Sequence, residues 1–261
     1  MKLITISIAA SAALFATTAM AAPIAIINGA SQTSESGTTA SITTQLTTLH
    51  EAAGNTVTLF DMVPGDLSGF SQVWDIRFSS ATAITGAQET QYLNYLANGG
   101  GMFVMGENSN FAARNSSVLS LIAAAGGGAL GFTVPSSAQT VIAPFTGPAP
   151  VTSVSFSAPG GVNGVGSGDW ITRNADGTAG TGVAWGVGDL SNALDGALTA
   201  IFDVNFMQTT ASEPEQNLTR NLIGFIEDQV DPDPDPVPAP AALALFGLGL
   251  LGLRAARRRK A

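Results

Sequence analysis

The residues best able to do chemistry are carboxylates and amides at the ends of short apolar runs. Asn28 follows Ile24 to Ile27, and Asp75 lies in the run VWDI at 73–76. Glu107 and Asn108 follow Met102 to Met105, and Asp203 and Asn205 follow Ala200 to Phe202. In an open α/β sheet, ligands sit beyond the carboxyl ends of the strands. These six residues are therefore the candidate ligand-binding set, with Glu107 and Asp203 the candidate catalytic pair. Two carboxylates can divide the acid and base roles of glycoside cleavage. Oxygen-rich edges of this kind can also hold Ca²⁺. The same residue types serve equally as loop anchors and helix caps, which requires no chemistry at all. The alternatives left open are a non-catalytic binding or structural module, a carboxylate-dependent glycan hydrolase, and a calcium-dependent adhesive module.

Most other chemistry is excluded by composition. The 261-residue chain has no cysteine and one histidine. That removes thiolate catalysis, disulfides and a multi-histidine zinc site. His50 is placed late in a predicted helix, where the surface near the carboxyl end suits it. A triad through Ser109 would lack a base, and no G-x-S-x-G elbow is present. No G-x-G-x-x-G follows the first apolar run, and no phosphate loop occurs elsewhere. No cofactor and no metal centre are assigned. Trp74, Trp170 and Trp185 are expected in the core rather than in a sugar-stacking platform.

The elements that must position these side chains can be read from periodicity. Short runs at 24–27, 57–60, 73–76 and 102–105 read as strands, and the all-apolar Ile24 to Ile27 suits one buried on both faces. Ile42, Leu46 and Leu49 recur at helical spacing before Gly54. Thr85 to Gln88 matches a capping box opening a helix that runs to Asn98 and stops at Gly99. Further helices are expected over 117–125 and 217–227. Residues 131–189 are rich in Gly, Pro, Ser and Thr with short β-like runs, which predicts an antiparallel insertion or subdomain. The predicted fold is α/β: an open, mostly parallel sheet flanked by helices, spanning 22–228, with that β-rich insertion. The strand ends MGENSNF at 105–111 and FDVNF at 202–206 are alike, each placing an acid and an Asn–Phe pair after an apolar run.

Charge separates the body from its ends. The four arginines of the interior, Arg77, Arg114, Arg173 and Arg220, stand against all 19 acidic residues. Such a body repels nucleic acid. The remaining cations are terminal. Lys2, an apolar stretch from Leu3 to Phe15, and Ala19-Met20-Ala21 form a secretory signal with cleavage expected after Ala21. This implies Sec export and a signal peptidase. At the other end, an Asp/Pro spacer over 229–236 cannot be helix or strand interior. Then come Val237-Pro238-Ala239-Pro240-Ala241, an apolar run over 241–253, and the basic cluster Arg254, Arg257, Arg258, Arg259 and Lys260. A transmembrane helix is expected over 241–253, with the basic end cytoplasmic and the acidic body outside.

The order of spacer, VPAPA, Gly/Leu/Ala-rich run and basic end resembles a PEP-CTERM protein-sorting tail, with VPAP where the family usually carries VPEP. The resemblance implies an exosortase-type membrane transpeptidase as partner. It also implies inner-membrane anchoring before release to the envelope, surface or extracellular matrix, in a setting of exopolysaccharide and biofilm. The body resembles class I glutamine amidotransferase-like, flavodoxin-like domains on two stretches: GGGMFVMGEN at 99–108, and AIFDVNF with the later NLTRNLIGFI. The first is similar to the elbow that holds the cysteine nucleophile of catalytic members. Glu107 or Asn108 stands there instead, so amidotransferase activity is not implied.

Overall fold

A computed structural model of the protein describes residues 21–230. The signal segment with Ala19, the spacer from Asp231 onward, the sorting motif, the apolar run at 241–253 and the basic cluster lie outside the described residues. The chain runs β1 (Pro23–Ile27), α1 (Ser36–Ala52), β2 (Thr56–Phe60), β3 (Gln72–Asp75), α2 (Gly86–Ala97), β4 (Gly101–Gly106) and α3 (Ala112–Ala125). It continues through β5 (Phe132–Thr133), β6 (Ala138–Val141), β7 (Ser153–Ser155), β8 (Gly161–Val162), β9 (Asp169–Arg173) and β10 (Gly182–Trp185). It closes with β11 (Ala197–Phe202) and α4 (Glu213–Val230).

One nine-stranded sheet has the order β2-β1-β3-β4-β11-β10-β9-β6-β7, and β5 pairs with β8 apart from it. The pairings from β2 to β11 are parallel and those from β11 to β7 are antiparallel. The sheet is thus mixed rather than mostly parallel. Much of the predicted insertion is an extension of the main sheet, not a separate unit. Connections without helices allow only antiparallel neighbours, because a parallel pair needs a long crossover. From β5 to β11 the chain has no helix, so β6, β7, β9 and β10 join the sheet in that sense.

Alternation sorts the core onto two faces. Ile24, Ile26, Trp74, Phe103, Met105 and Ile201 pack against α1 and α4. Ala25, Ile27, Val73, Met102, Val104 and Phe202 pack against α2 and α3. The capping box forms as expected: the Thr85 side chain accepts from the Gln88 backbone N–H, and Gln88 reaches back to the Thr85 N–H. Helix α3 begins at Ala112, five residues before the predicted start.

His50 departs from its expected surface position. It is fully buried, its ring edge-on to Trp74 at 4.9 Å, and Trp74 stacks on Phe103 at 4.7 Å. On α1 it continues the buried stripe of Thr39, Ile42, Thr43 and Leu46 at i+4 from the last. Its Nδ1 faces the Asn55 amide at 3.3 Å. Burial pushes its pKa down to about 3, so the ring is neutral. Trp74 and Trp185 are buried as expected, and Trp170 is partly so.

Candidate functional site

Register brings the two catalytic candidates together. In the parallel pair, Ile201 lies opposite Met105 and Phe202 opposite Gly106. One residue further on, Asp203 stands beside Glu107. Met105 and Ile201 face α1 and α4, and side chains alternate along a strand. Glu107 and Asp203 therefore face the same side, on neighbouring strands spaced about 4.8 Å apart.

Each acid starts a similar turn. After Glu107, a short 3-10 helix spans Ser109–Phe111; after Asp203, another spans Asn205–Met207. Glu107 Oε2 accepts the Asn108 backbone N–H at 2.6 Å. Asn108 Oδ1 accepts the Asn110 N–H at 2.9 Å. Asp203 Oδ1 accepts the Asn205 N–H at 2.7 Å, and its Oδ2 accepts the Ala158 N–H at 3.1 Å. Asn108 and Asn205 are thus partners in the turns, which satisfy backbone groups that the strand ends leave unpaired.

Two contributors to this arrangement escaped sequence reasoning. Asn115, buried on α3, accepts the Glu107 N–H at 2.8 Å and donates to the Asn108 carbonyl at 2.9 Å. It clamps the strand-to-helix turn from behind. The second is a strap over the edge. Gly160 donates its N–H to the Phe202 carbonyl at 2.8 Å. A Cβ at Gly160 would stand 2.3 Å from the Glu107 carbonyl oxygen, so only glycine allows this approach. With Ala158 on Asp203, the strap leaves Glu107 only 4 % exposed and Asp203 fully buried.

Burial without a cation sets the electrostatics. The Glu107 pKa is pushed up to about 8, first by burial and then by the Asp203 charge, with Glu35 at the start of α1 adding to it. Asp203 is also raised, by burial, against the pull of its backbone donors. At neutral pH, Glu107 is largely protonated and can donate a proton. Among the described residues, no non-glycine residue has a left-handed backbone, so the Glu107 turn lacks that form of nucleophile-elbow strain. No group of three or more carboxylate or imidazole side chains is placed to hold a metal ion among the described residues.

The other candidates lie elsewhere. Asn28 follows β1, two strands from Glu107, and its amide donates to Thr43 Oγ1 at 3.4 Å while Oδ1 accepts from Ala30. Asp75 faces the opposite side, with Tyr92 and Arg114. Its two oxygens accept from Arg77 Nε and Nη2 at 2.8 Å each, and Oδ2 also accepts the Tyr92 hydroxyl at 2.9 Å. Arg114 Nη2 approaches Asp75 Oδ1 at 3.2 Å. Strand order makes β1 and β3 the place where connections diverge, the usual ligand crevice of such sheets. Here Arg77 fills it: Gly29, with φ +63°, sits where a Cβ would be 2.9 Å from the Arg77 side chain. Asp75 is committed to this buried network.

Three comparisons with known proteins bear on the chain. Residues 236–260 match the PEP-CTERM protein-sorting motif. A search by sequence against curated proteins finds no match. By structure, the chain is similar to the mmIFT52 N-terminal domain, with a TM-score of 0.57 at 10% identity, covering 81% of this chain and 99% of that one. It is also similar to the exo-beta-1,4-mannosidase Op5Man5 from Opitutaceae bacterium strain TAV5, with a TM-score of 0.51 at 9% identity, covering 79% of this chain but 36% of the mannosidase. A ThuA-like protein from Bacteroides uniformis gives a TM-score of 0.46 at 12% identity, covering 84% of this chain and 97% of that one. For the first two the likeness is one of fold: an α/β domain with a mixed sheet flanked by helices, here on a chain whose residues 236–260 match a sorting motif.

Proposed function

We propose that the protein is exported, anchored at its C-terminal apolar run and handed to the cell envelope or matrix as an exosortase substrate. There its α/β domain serves among exopolysaccharides as a binding or structural module. The observation that carries this reading is the sorting motif at 236–260, in a chain that opens with a three-part secretory signal. The parallel order β2-β1-β3-β4-β11 supports a flavodoxin-like origin for the body. Mass spectrometry of the protein from its native host tests delivery. The expected mature chain begins near Ala22 and lacks the basic end. A mature chain that still runs to Ala261 would replace the sorting reading with that of a plain anchor.

A second reading has its own observation, the neighbouring buried carboxylates Glu107 and Asp203. A protonated acid near pKa 8 beside a second carboxylate is the division of labour that glycoside cleavage uses. Their strand spacing of about 4.8 Å suits the closer, retaining arrangement, in which the carboxyl groups are about 5 Å apart. The fold is compatible, since one stretch of an exo-beta-1,4-mannosidase shares it. Catalysis on this edge requires the strap at Ala158 to Gly160 to lift, because it covers the pair. Turnover of a broad polysaccharide panel, abolished by Glu107→Gln and by Asp203→Asn, is the expected result under this reading. No turnover on any member would leave the pair as a buried joint of a non-catalytic domain.

A further inference from the structure

A groove of about 740 Å³ opens on the opposite edge of the sheet, between the β2–β3 loop and α2. Ser71 and Gly100, which line it, immediately precede β3 and β4, whereas Glu107 and Asp203 follow their strands. The volume lies within the range of small-ligand sites. Its walls are tied to each other by the protein itself. Gln91 Nε2 on α2 donates to the Pro64 carbonyl at 2.6 Å, and the Tyr95 hydroxyl donates to the Phe70 carbonyl at 3.1 Å. Phe70 is held edge-on to Phe60 at 5.6 Å. The groove is therefore formed before any ligand arrives, which lowers the ordering cost of binding.

The lining defines the ligand. The half-buried Phe70 ring supplies the apolar surface, backed by the buried Leu67 and Tyr95 beneath it. Above them stand the exposed Asn94, Thr90 and Ser68. The Asn94 side-chain amide makes no hydrogen bond among the described residues, so both its donors and its acceptor are available. Among the described residues, no lysine or arginine lines the groove. Its one carboxylate among the described residues, Asp66, is held below the ordinary range by the Ser68 N–H and hydroxyl and stays ionised. Rings with apolar faces and hydroxyl edges match such a surface, and anions do not.

We propose that this groove binds a short stretch of neutral glycan. The proposal rests on the reading of the protein as a resident among matrix polysaccharides, but not on any chemistry at Glu107. The test is calorimetric titration of the full chain, in a detergent without a sugar headgroup, with cellopentaose, mannopentaose and pentagalacturonate. At least one neutral pentasaccharide is expected to bind, and pentagalacturonate is not. Asn94→Trp, which fills the groove from an exposed helix position, should weaken binding by about tenfold or more without lowering Tm. Asn94→Ala should weaken it in the same direction, and the Glu107→Gln/Asp203→Asn double variant should bind as the wild type does. The proposal is overturned if neither neutral sugar binds, if Asn94→Trp leaves affinity unchanged, or if the acidic sugar binds equally well. Loss of binding in the double variant alone would likewise overturn it and move the glycan to the other edge. Binding that is sensitive to Asn94 in a protein without glycan turnover supports the groove and separates it from the hydrolase reading.

Discussion

At pH 8 the Glu107→Gln variant is expected to be more stable than the wild-type protein, while at pH 4.5 the two should unfold at nearly the same urea concentration. Glu107 titrates at about 8 in the folded chain, against an ordinary 4.5. Between those values the unfolded chain ionises this group and the folded chain does not. Stability then falls with rising pH by about 1.4 kcal/mol per unit, to roughly 4 kcal/mol in all. His50 works in the other direction. Its folded value of about 3 lies below the ordinary 6.5, so its contribution is present above pH 6.5 and is lost as pH falls toward 3. Between pH 4.5 and 6.5 the His50 and Glu107 slopes oppose each other, and above 6.5 the His50 slope is gone and the Glu107 loss is unopposed by it. Asp203, raised as Glu107 is, adds to the downward tilt with pH. Glutamine imitates the protonated acid and can still accept the Asn108 N–H, so it should remove most of the loss between 6.5 and 8. Urea titrations across pH would refute the assignment if wild type were flat in that window or if the variant kept its slope.

The second large effect belongs to Asp75. It is the one anion in a buried cluster with Arg77 and Arg114, all three at 2 % exposure or less. Burial by itself would raise the Asp75 pKa, but the Arg114 and Arg77 guanidinium groups reverse this and hold the carboxyl well below the usual carboxylate range. Arg114 also spends its donors on the Met105 and Thr82 carbonyls, at 2.9 and 3.1 Å. Asp75→Asn would leave two buried cations without a counter-charge, a loss of about 3–5 kcal/mol out of a typical 5–15. Arg77→Met removes a cation whose side chain bonds only Asp75 and Tyr92, and leaves Arg114 to balance Asp75. It should cost clearly less. Urea midpoints near pH 6 decide the matter: if Asp75→Asn were as mild as Arg77→Met, the cluster would not depend on charge balance.

Much of the parallel half was legible in the sequence, because β1 and β4 are built on apolar runs and the helices before β2 and β4 carry explicit stops at Gly54 and Gly99. The pairing of Glu107 with Asp203 was legible only in part. Both could be placed at strand ends, but their adjacency depends on β4 and β11 being neighbours across nearly 100 residues, which periodicity does not encode. The antiparallel strands were visible as short β-like runs, yet nothing in a run such as GVAW at 182–185 names its partner. Arg114 and Asn115 hid the first turns of α3, since buried polar residues read as loop. His50 reads as a surface residue from its place late in α1, whereas the stripe it shares with Ile42 and Leu46 buries it.

Strand β11 has a temporal consequence as well as a spatial one. Among the described residues it is the only strand common to the parallel and antiparallel halves of the main sheet, and it comes last among the strands. A protein threaded across a membrane from its N-terminus would present β1 to β4 and then the antiparallel strands as two assemblies with bare edges. Neither could join the other until residues 197–202 emerged. Such long-range closure makes folding slow and leaves sticky intermediates. The sorting motif follows within some forty residues, so under the proposed anchoring, arrest at the membrane would come almost as the sheet becomes able to close. Tethering the chain at that moment would keep one unfinished copy from meeting the open edge of another.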